Sequence, residues 1–186
     1  SMIYGAPTNI MDCGAVGNGV VDDTDAFILA ANKGGTVVIP KDKTIRIART
    51  ITSTDLTTQF KVIGESRNTS ILYFDVDGYG IHTTTSTAMS EWENLFIKGN
   101  LAKANSAGLS LFDNSGKTLE KLNVGYFNKT AIQIVQSVQP VIKGCFIYSI
   151  GTGIDINPGT TASVAPEIQD VYINSASICG IDITGT

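Results

Sequence analysis

A strand pattern that recurs every 22 to 28 residues most constrains what this chain can fold into. The pattern reads small, apolar, polar, apolar, and its copies begin at Gly80, Gly108, Ala131, Gly153 and Gly180. A second strand type precedes the last four copies, with equivalent positions at Leu95, Leu122, Cys145 and Val171. Two strand types that recur with the same spacing indicate the coils of a solenoid.

Alternation along each strand assigns its side chains to opposite faces. The inward positions form two aliphatic stacks: Ile81, Leu109, Ile132, Ile154 and Ile181, and Ile97, Val124, Ile147 and Ile173. Each such residue contributes about 1.5–3 kcal/mol of burial, which can hold the fold without disulfides. Trp92 falls at another inward position, so we expect it to pack in the core. The sequence therefore predicts an all-β fold, a right-handed, single-stranded parallel β-helix.

An acidic run near the N-terminus predicts one short capping helix. Asp22, Asp23 and Asp25 place cap-type side chains and negative charge where a helix has unpaired N–H groups. A short apolar stripe follows, and Gly34 suits a left-handed C-terminal cap. We expect a helix over residues 23–32 that plugs the open end of the first coil.

These features divide one continuous domain into two parts. Residues 1–75 carry the cap helix and the first coils, and residues 76–186 carry the repeated coils. The last repeat is unfinished at Thr186, so we expect the natural protein to continue beyond it.

The outward positions of one strand type form a polar column of His82, Ser110, Gln133, Asp155 and Asp182. Parallel strands lie about 4.8 Å apart, so Asp155 and Asp182 should be near neighbours on successive coils. That spacing is similar to the carboxyl pair of a retaining glycosidase, which makes these two residues candidate catalytic groups. A solvated polar surface in which two aspartates align is the alternative. His82 lies three coils from Asp155 and is expected to be an ordinary surface residue.

The outward positions of the other strand type form a column of Phe96, Asn123, Phe146 and Tyr172. Exposed aromatic rings can stack on sugars, so Phe96, Phe146 and Tyr172 are candidate substrate-binding residues. A neighbouring subunit could cover the same rings, or long connections such as 157–166 could fold over them. The sequence leaves these three interpretations open.

The composition limits the kinds of molecule that this protein is expected to bind. The net charge is −4 and the sequence pI is about 4.9, which argues against a nucleic-acid partner. No segment reaches the 18 or more apolar residues of a membrane span. Three cysteines without close spacing predict buried free thiols rather than disulfides, and no metal site or cofactor is expected.

The N-terminal stretch resembles the opening of the pectate-lyase-like right-handed parallel β-helix domain. The residues that carry the resemblance are Gly14, Gly17, Gly19, Asp22, Asp23, Thr24, Ala26, Gly35, Pro40 and Gly64. The resemblance implies a phage tailspike or related surface protein that binds, and in some members depolymerises, bacterial polysaccharide. It also implies a homotrimer at full length and a place in a virion tail or outside the cell. The alternative is a non-catalytic structural or adhesive module.

Overall fold

The computed structural model describes residues 5–86, 89–159 and 165–183. Within these ranges the chain winds into a solenoid of short strands with one α-helix near its beginning. The strands are β1 (Gly5–Asn9), β2 (Asn18–Asp22), β3 (Gly35–Ile39), β4 (Lys43–Ile47), β5 (Ile51–Thr52), β6 (Phe60–Gly64), β7 (Ser70–Phe74), β8 (Tyr79–His82), β9 (Ser90–Glu93), β10 (Phe96–Lys98), β11 (Ala107–Phe112), β12 (Thr118–Glu120), β13 (Asn123–Gly125), β14 (Thr130–Val135), β15 (Val141–Lys143), β16 (Phe146–Asn157), β17 (Glu167–Gln169) and β18 (Tyr172–Ile183). The helix α1 spans Thr24–Asn32 and follows a 3-10 turn at Ile10–Cys13.

Each coil contributes strands to three faces. The first face is a seven-stranded sheet in the order β1-β3-β6-β9-β12-β15-β17. The second face is the row β2-β4-β7-β10-β13, and the third is the row β5-β8-β11-β14. The long strands β16 and β18 run from the second face to the third and join both rows into one 11-stranded sheet. The strand pairs are parallel, which confirms the predicted parallel β-helix.

The corner between the first and second faces is a two-residue connection whose first residue is left-handed. Equivalent residues of four coils adopt positive φ there: Asn94 (58°), Lys121 (53°), Gly144 (61°) and Asp170 (51°). The backbone N–H groups of the first three donate to carbonyls of the next coil at 3.0–3.1 Å. The left-handed residue bends the chain sharply from one face to the next, so the two faces can share one apolar interior.

The predicted aliphatic stacks form the core. Ile81, Leu109, Ile132 and Ile154 are fully buried, as are Ile97, Val124 and Ile147. Trp92 is fully buried as expected, and its indole N–H donates to the Ser90 hydroxyl at 2.7 Å. The prediction fails at Ile181, which pairs with Ile154 on β18 but is 42% exposed. Among the described residues β18 is the last strand of the stack, so no further coil packs on that side chain.

The cap helix begins one residue later than predicted. It spans Thr24–Asn32, and Phe27 on its buried side stacks on Trp92 at 6.2 Å and meets the edge of Phe60 at 6.2 Å. Gly34 has φ of 75°, the left-handed value expected after the helix. The helix therefore inserts an aromatic ring into the first coils, as the plug prediction requires.

Of the acidic residues before the helix, Asp22 caps the first helical N–H group as predicted, whereas Asp23 does not. Asp23 is 2% exposed and makes no side-chain bond to the helix N-terminus. Its carboxylate instead accepts hydrogen bonds from the backbone N–H groups of Val16 at 2.7 Å and Gly17 at 3.1 Å. It therefore fixes the preceding glycine-rich turn, while Asp22 accepts the backbone N–H of Thr24 at 3.0 Å.

The expectation of three buried thiols holds for one cysteine. Cys145 is buried, and burial raises the pKa of its thiol to about 11. Cys13 and Cys179 are also free but only half-buried. They lie near the two ends of the described solenoid, where fewer coils cover them.

Candidate functional site

The predicted polar column lies on the third face in the expected register. Successive strands pair His82 with Ser110, Ser110 with Gln133, Gln133 with Asp155 and Asp155 with Asp182. The Ser110 hydroxyl donates to Gln133 Oε1 at 2.8 Å, and Gln133 Nε2 donates to Asp155 Oδ2 at 2.8 Å. The third face thus carries a hydrogen-bonded ladder that ends on the Asp155 carboxylate.

This column is less open to solvent than the sequence suggested. Ser110 is completely buried and Asp155 is half-buried, whereas Asp182 on β18 is exposed. The two carboxylates occupy adjacent strands in different surroundings, since only Asp155 accepts a hydrogen bond from the ladder. Their catalytic role stays a prediction.

His82 is not the ordinary surface residue that was expected. Its imidazole is half-buried and stacks on Tyr79, with ring centroids 5.6 Å apart and an interplanar angle of 19°. Its Nδ1 is buried and has no hydrogen-bond partner among the described residues. Burial raises the pKa of Tyr79, and the nearby Asp155 charge adds to that rise. His82 itself lies three coils away from Asp155 in the column.

The predicted aromatic column lies on the second face, also in register. Phe96 pairs with Asn123, Asn123 with Phe146, and Phe146 with Tyr172. Asn123 interrupts the column of aromatic rings, and its amide oxygen accepts a hydrogen bond from Arg67 Nε at 2.8 Å. The Arg67 side chain thus reaches over this position from the β6–β7 connection, so the column is polar at its middle.

Three tyrosines that the sequence reasoning missed extend this column into an aromatic patch. We define the patch as Tyr73, Phe96, Tyr126, Phe146, Tyr148 and Tyr172. Tyr148 connects its parts, with ring centroids 6.1 Å from Phe96, 5.5 Å from Tyr126 and 5.5 Å from Phe146. Strand alternation applied two residues beyond Phe146 would have found Tyr148, because residues i and i+2 share a face.

Part of the aromatic patch is open to solvent. Phe146 is 37% exposed and Tyr172 is 55% exposed, and their rings stack at 4.8 Å with an interplanar angle of 13°. Whether the 157–166 connection covers these rings lies partly outside the described residues. Two open rings in parallel contact form a flat apolar surface of the kind that sugar rings contact.

A cavity of ≈ 390 Å³ adjoins the patch. It is lined by Tyr73, Lys98, Gly99, Asn100, Leu101 and Tyr126. The Lys98 ammonium lies 5.8 Å from the Tyr73 ring centroid and 5.6 Å from that of Tyr126. A second cavity of ≈ 250 Å³ is also lined by Leu101 and reaches Asn128 and Ser177. We call these two cavities together the groove; their lining residues come from several successive coils.

Asp75 contacts several polar side chains beside this groove. Its carboxylate accepts a hydrogen bond from Asn100 Nδ2 at 2.8 Å and two from the Arg46 guanidinium at 2.7 and 3.0 Å. These hydrogen bonds, the one from Asn100 first, hold the pKa of Asp75 below its usual value. Lys103 lies 4.0 Å from the same carboxylate.

The first face carries a second carboxylate pair that sequence reasoning missed. Glu93 and Glu120 occupy adjacent strands in register. Lys61 lies 2.8 Å from Glu93, and Lys143 lies 3.6 Å from Glu120. A cavity of only ≈ 110 Å³ adjoins them. Each carboxylate of the pair thus has a lysine partner on the neighbouring coil, and these ion pairs connect successive coils.

The predicted catalytic and binding residues lie on different faces. Phe146 belongs to the part of β16 that pairs with β13, and Asp155 to the part that pairs with β14. Within the described ranges no group of three His, Cys, Asp or Glu side chains could hold a metal ion. None of the described helical segments has the length and apolarity needed to cross a membrane.

Comparisons with known proteins place this architecture in a family. A model described as a right-handed β-helix region matches residues 28–186. The chain belongs to the right-handed β-helix family. The predicted fold, including its hand, is therefore confirmed, whereas the pectate-lyase-like and tailspike resemblance stays a hypothesis. Comparison with curated protein sequences gave no match.

Among solved structures, this β-helix chain is similar to ORF18 of Geobacillus virus E2. The TM-score is 0.66 at 15% sequence identity, and the likeness covers 89% of this chain. It covers 41% of the viral protein, so this chain spans less than half the length of its neighbour. At this identity the likeness shows the fold alone.

Proposed function

We propose that this chain is part of a phage tailspike or related surface protein and binds a bacterial polysaccharide through its aromatic patch. The observation that carries the proposal is the continuous set of rings on the second face, in which Phe146 and Tyr172 are stacked and open to solvent. The apolar faces of sugars pack well on such rings, and polar groups at the rim fix their orientation.

A phage setting is supported by the fold of the viral neighbour, which has the same solenoid at low identity. We propose a place in the virion tail or outside the cell, and a homotrimer for the complete protein. The residues that line the groove come from several successive coils, which suits an elongated polymer rather than a small molecule.

Cleavage of the polysaccharide is a second candidate function. Asp155 and Asp182 lie in register on adjacent strands, about 4.8 Å apart at the backbone, which suits a retaining pair. In that chemistry one carboxylate attacks the anomeric carbon while the other protonates the leaving oxygen. Water then hydrolyses the glycosyl ester. The separation of this pair from the aromatic patch favours the non-catalytic adhesive alternative for this chain.

Binding to purified bacterial capsular and O-antigen polysaccharides, measured by biolayer interferometry, tests the proposal. We expect saturable binding to at least one member of a broad panel. Size-exclusion chromatography of the same mixtures reports oligosaccharide release and separates cleavage from adhesion. Absence of binding across the panel would contradict the proposed function.

A further inference from the structure

Lys98 is a cation without a carboxylate partner in the lining of the ≈ 390 Å³ cavity. Its ammonium lies between the Tyr73 and Tyr126 rings, and no ion pair joins it to any carboxylate among residues 5–86, 89–159 and 165–183. Cation–π contacts hold an ammonium in place but leave its N–H groups free for an additional acceptor.

The other charges beside the groove are already paired. Arg46 donates twice to Asp75, and Lys103 lies 4.0 Å from the same carboxylate. The Asp22 carboxylate also attracts the Arg46 guanidinium electrostatically. Lys98 therefore differs from its cationic neighbours, because the charge that would balance it is absent from the described protein.

The amide beside Lys98 is also occupied. Asn100 uses its Nδ2 on Asp75, and its Oδ1 accepts the backbone N–H of Ala102 at 2.9 Å. Of the side chains lining the ≈ 390 Å³ cavity, Lys98 is thus the one that carries a positive charge without a carboxylate partner. A ligand that satisfies it must carry an acceptor, and a negatively charged acceptor gives the strongest bond.

We infer that this cavity takes a carboxylate-bearing sugar residue, so that the ligand of the aromatic patch is an acidic polysaccharide. This inference rests on the proposed function. The sugar ring lies against Tyr73 or Tyr126 while its carboxylate meets the Lys98 ammonium. Neighbouring sugars extend past Leu101 into the second cavity. The net charge of −4 repels polyanions in general, so the preference comes from this local site.

Matched ligands test the inference. Uronate-containing capsular polysaccharides are compared with the same polymers after chemical reduction of their carboxyl groups to alcohols. We expect the native polymer to bind the wild-type chain about tenfold or more tightly than its reduced form, as a charged hydrogen bond supplies. Lys98→Met should abolish this difference and Lys98→Arg should preserve it. Lys129→Met removes an exposed lysine outside the cavity and should leave the preference unchanged.

The outcomes separate the two proposals. Equal binding of native and reduced polymers by the wild-type chain overturns the acidic-ligand inference and leaves polysaccharide binding intact. Absence of binding to both forms overturns both. A preference that survives in Lys98→Met, with an unchanged circular dichroism spectrum, also overturns the role of Lys98.

Discussion

Phe146 and Tyr172 stack at 4.8 Å because consecutive coils place them directly opposite one another on β16 and β18. Their rings are far apart in the chain but equivalent in the repeat. Beside them, Tyr148 links the pair to Phe96 and Tyr126. A solenoid therefore converts one outward position per coil into a continuous surface along its axis.

Removal of the outermost ring should weaken ligand binding more than folding. Tyr172 is 55% exposed, so Tyr172→Ala should change the free energy of unfolding by less than about 1 kcal/mol. Loss of one stacking ring should reduce polysaccharide affinity about 2- to 10-fold, measured by biolayer interferometry.

Ile178→Ala provides the control for that variant. Ile178 is 72% exposed on the same strand but is not part of the aromatic patch, so its truncation should leave affinity unchanged. If Tyr172→Ala keeps full affinity but lowers the sedimentation coefficient of an oligomer, a second subunit covers the patch instead of a sugar.

Substitution of the carboxylate pair tests catalysis. If Asp155 and Asp182 cleave the polysaccharide, Asp155→Asn or Asp182→Asn should lower oligosaccharide release at least about 100-fold. Stability should change little, because the amide oxygen introduced by Asp155→Asn can still accept the Gln133 hydrogen bond and Asp182 is exposed. Release is measured by reducing-end assay.

Asp12→Asn, at an exposed position in the N-terminal 3-10 turn, serves as the matched control. Equal turnover in wild type and both pair variants would exclude Asp155 and Asp182 as catalytic residues. If the wild-type chain itself released no oligosaccharides, the adhesive alternative would gain support instead.

A methyl group at Gly64 should destabilise the solenoid. A Cβ there would lie 2.4 Å from the Asn94 carbonyl oxygen and 2.8 Å from Leu95 Cβ. Overpacking against backbone cannot relax by a rotamer change, so Gly64→Ala should cost about 1–3 kcal/mol or more in urea unfolding. At Gly78 the nearest atom is Thr50 Oγ1 at 3.8 Å, so Gly78→Ala should be nearly neutral. Equal midpoints for the two variants would contradict this packing argument.

The Asp75 network should make stability depend on acid pH. Hydrogen bonds from Asn100 and Arg46 lower the pKa of Asp75 in the folded chain. Its contribution is therefore present above the unfolded pKa of about 3.9 and is lost as pH falls through the folded pKa. Urea midpoints from pH 7 to pH 3 should show Asp75→Asn less stable than wild type at pH 7, with the gap closing below about pH 4. Asp170→Asn, at an exposed corner, should follow the wild-type profile.

The sequence alone predicted the coils because their spacing and alternation are local properties. Leu109, Ile132 and Ile154 repeat at one position per coil, and the burial of that position follows from the period of two residues in a strand. The same logic predicted that Asp155 lies opposite Asp182, and the paired strands confirm this register.

Only the tertiary structure decided which side chains contact one another on the second and third faces. The burial of Ser110 and the Arg67 contact with Asn123 depend on side chains that reach across coils, and the stack of His82 on Tyr79 depends on how two rings of one strand orient. The isolation of Lys98 between two tyrosines likewise follows from where Asp75 and Asn100 point. Strand period fixes which backbone positions are neighbours, whereas side-chain rotamers and corner turns fix which groups meet, and a repeat pattern contains no information on them.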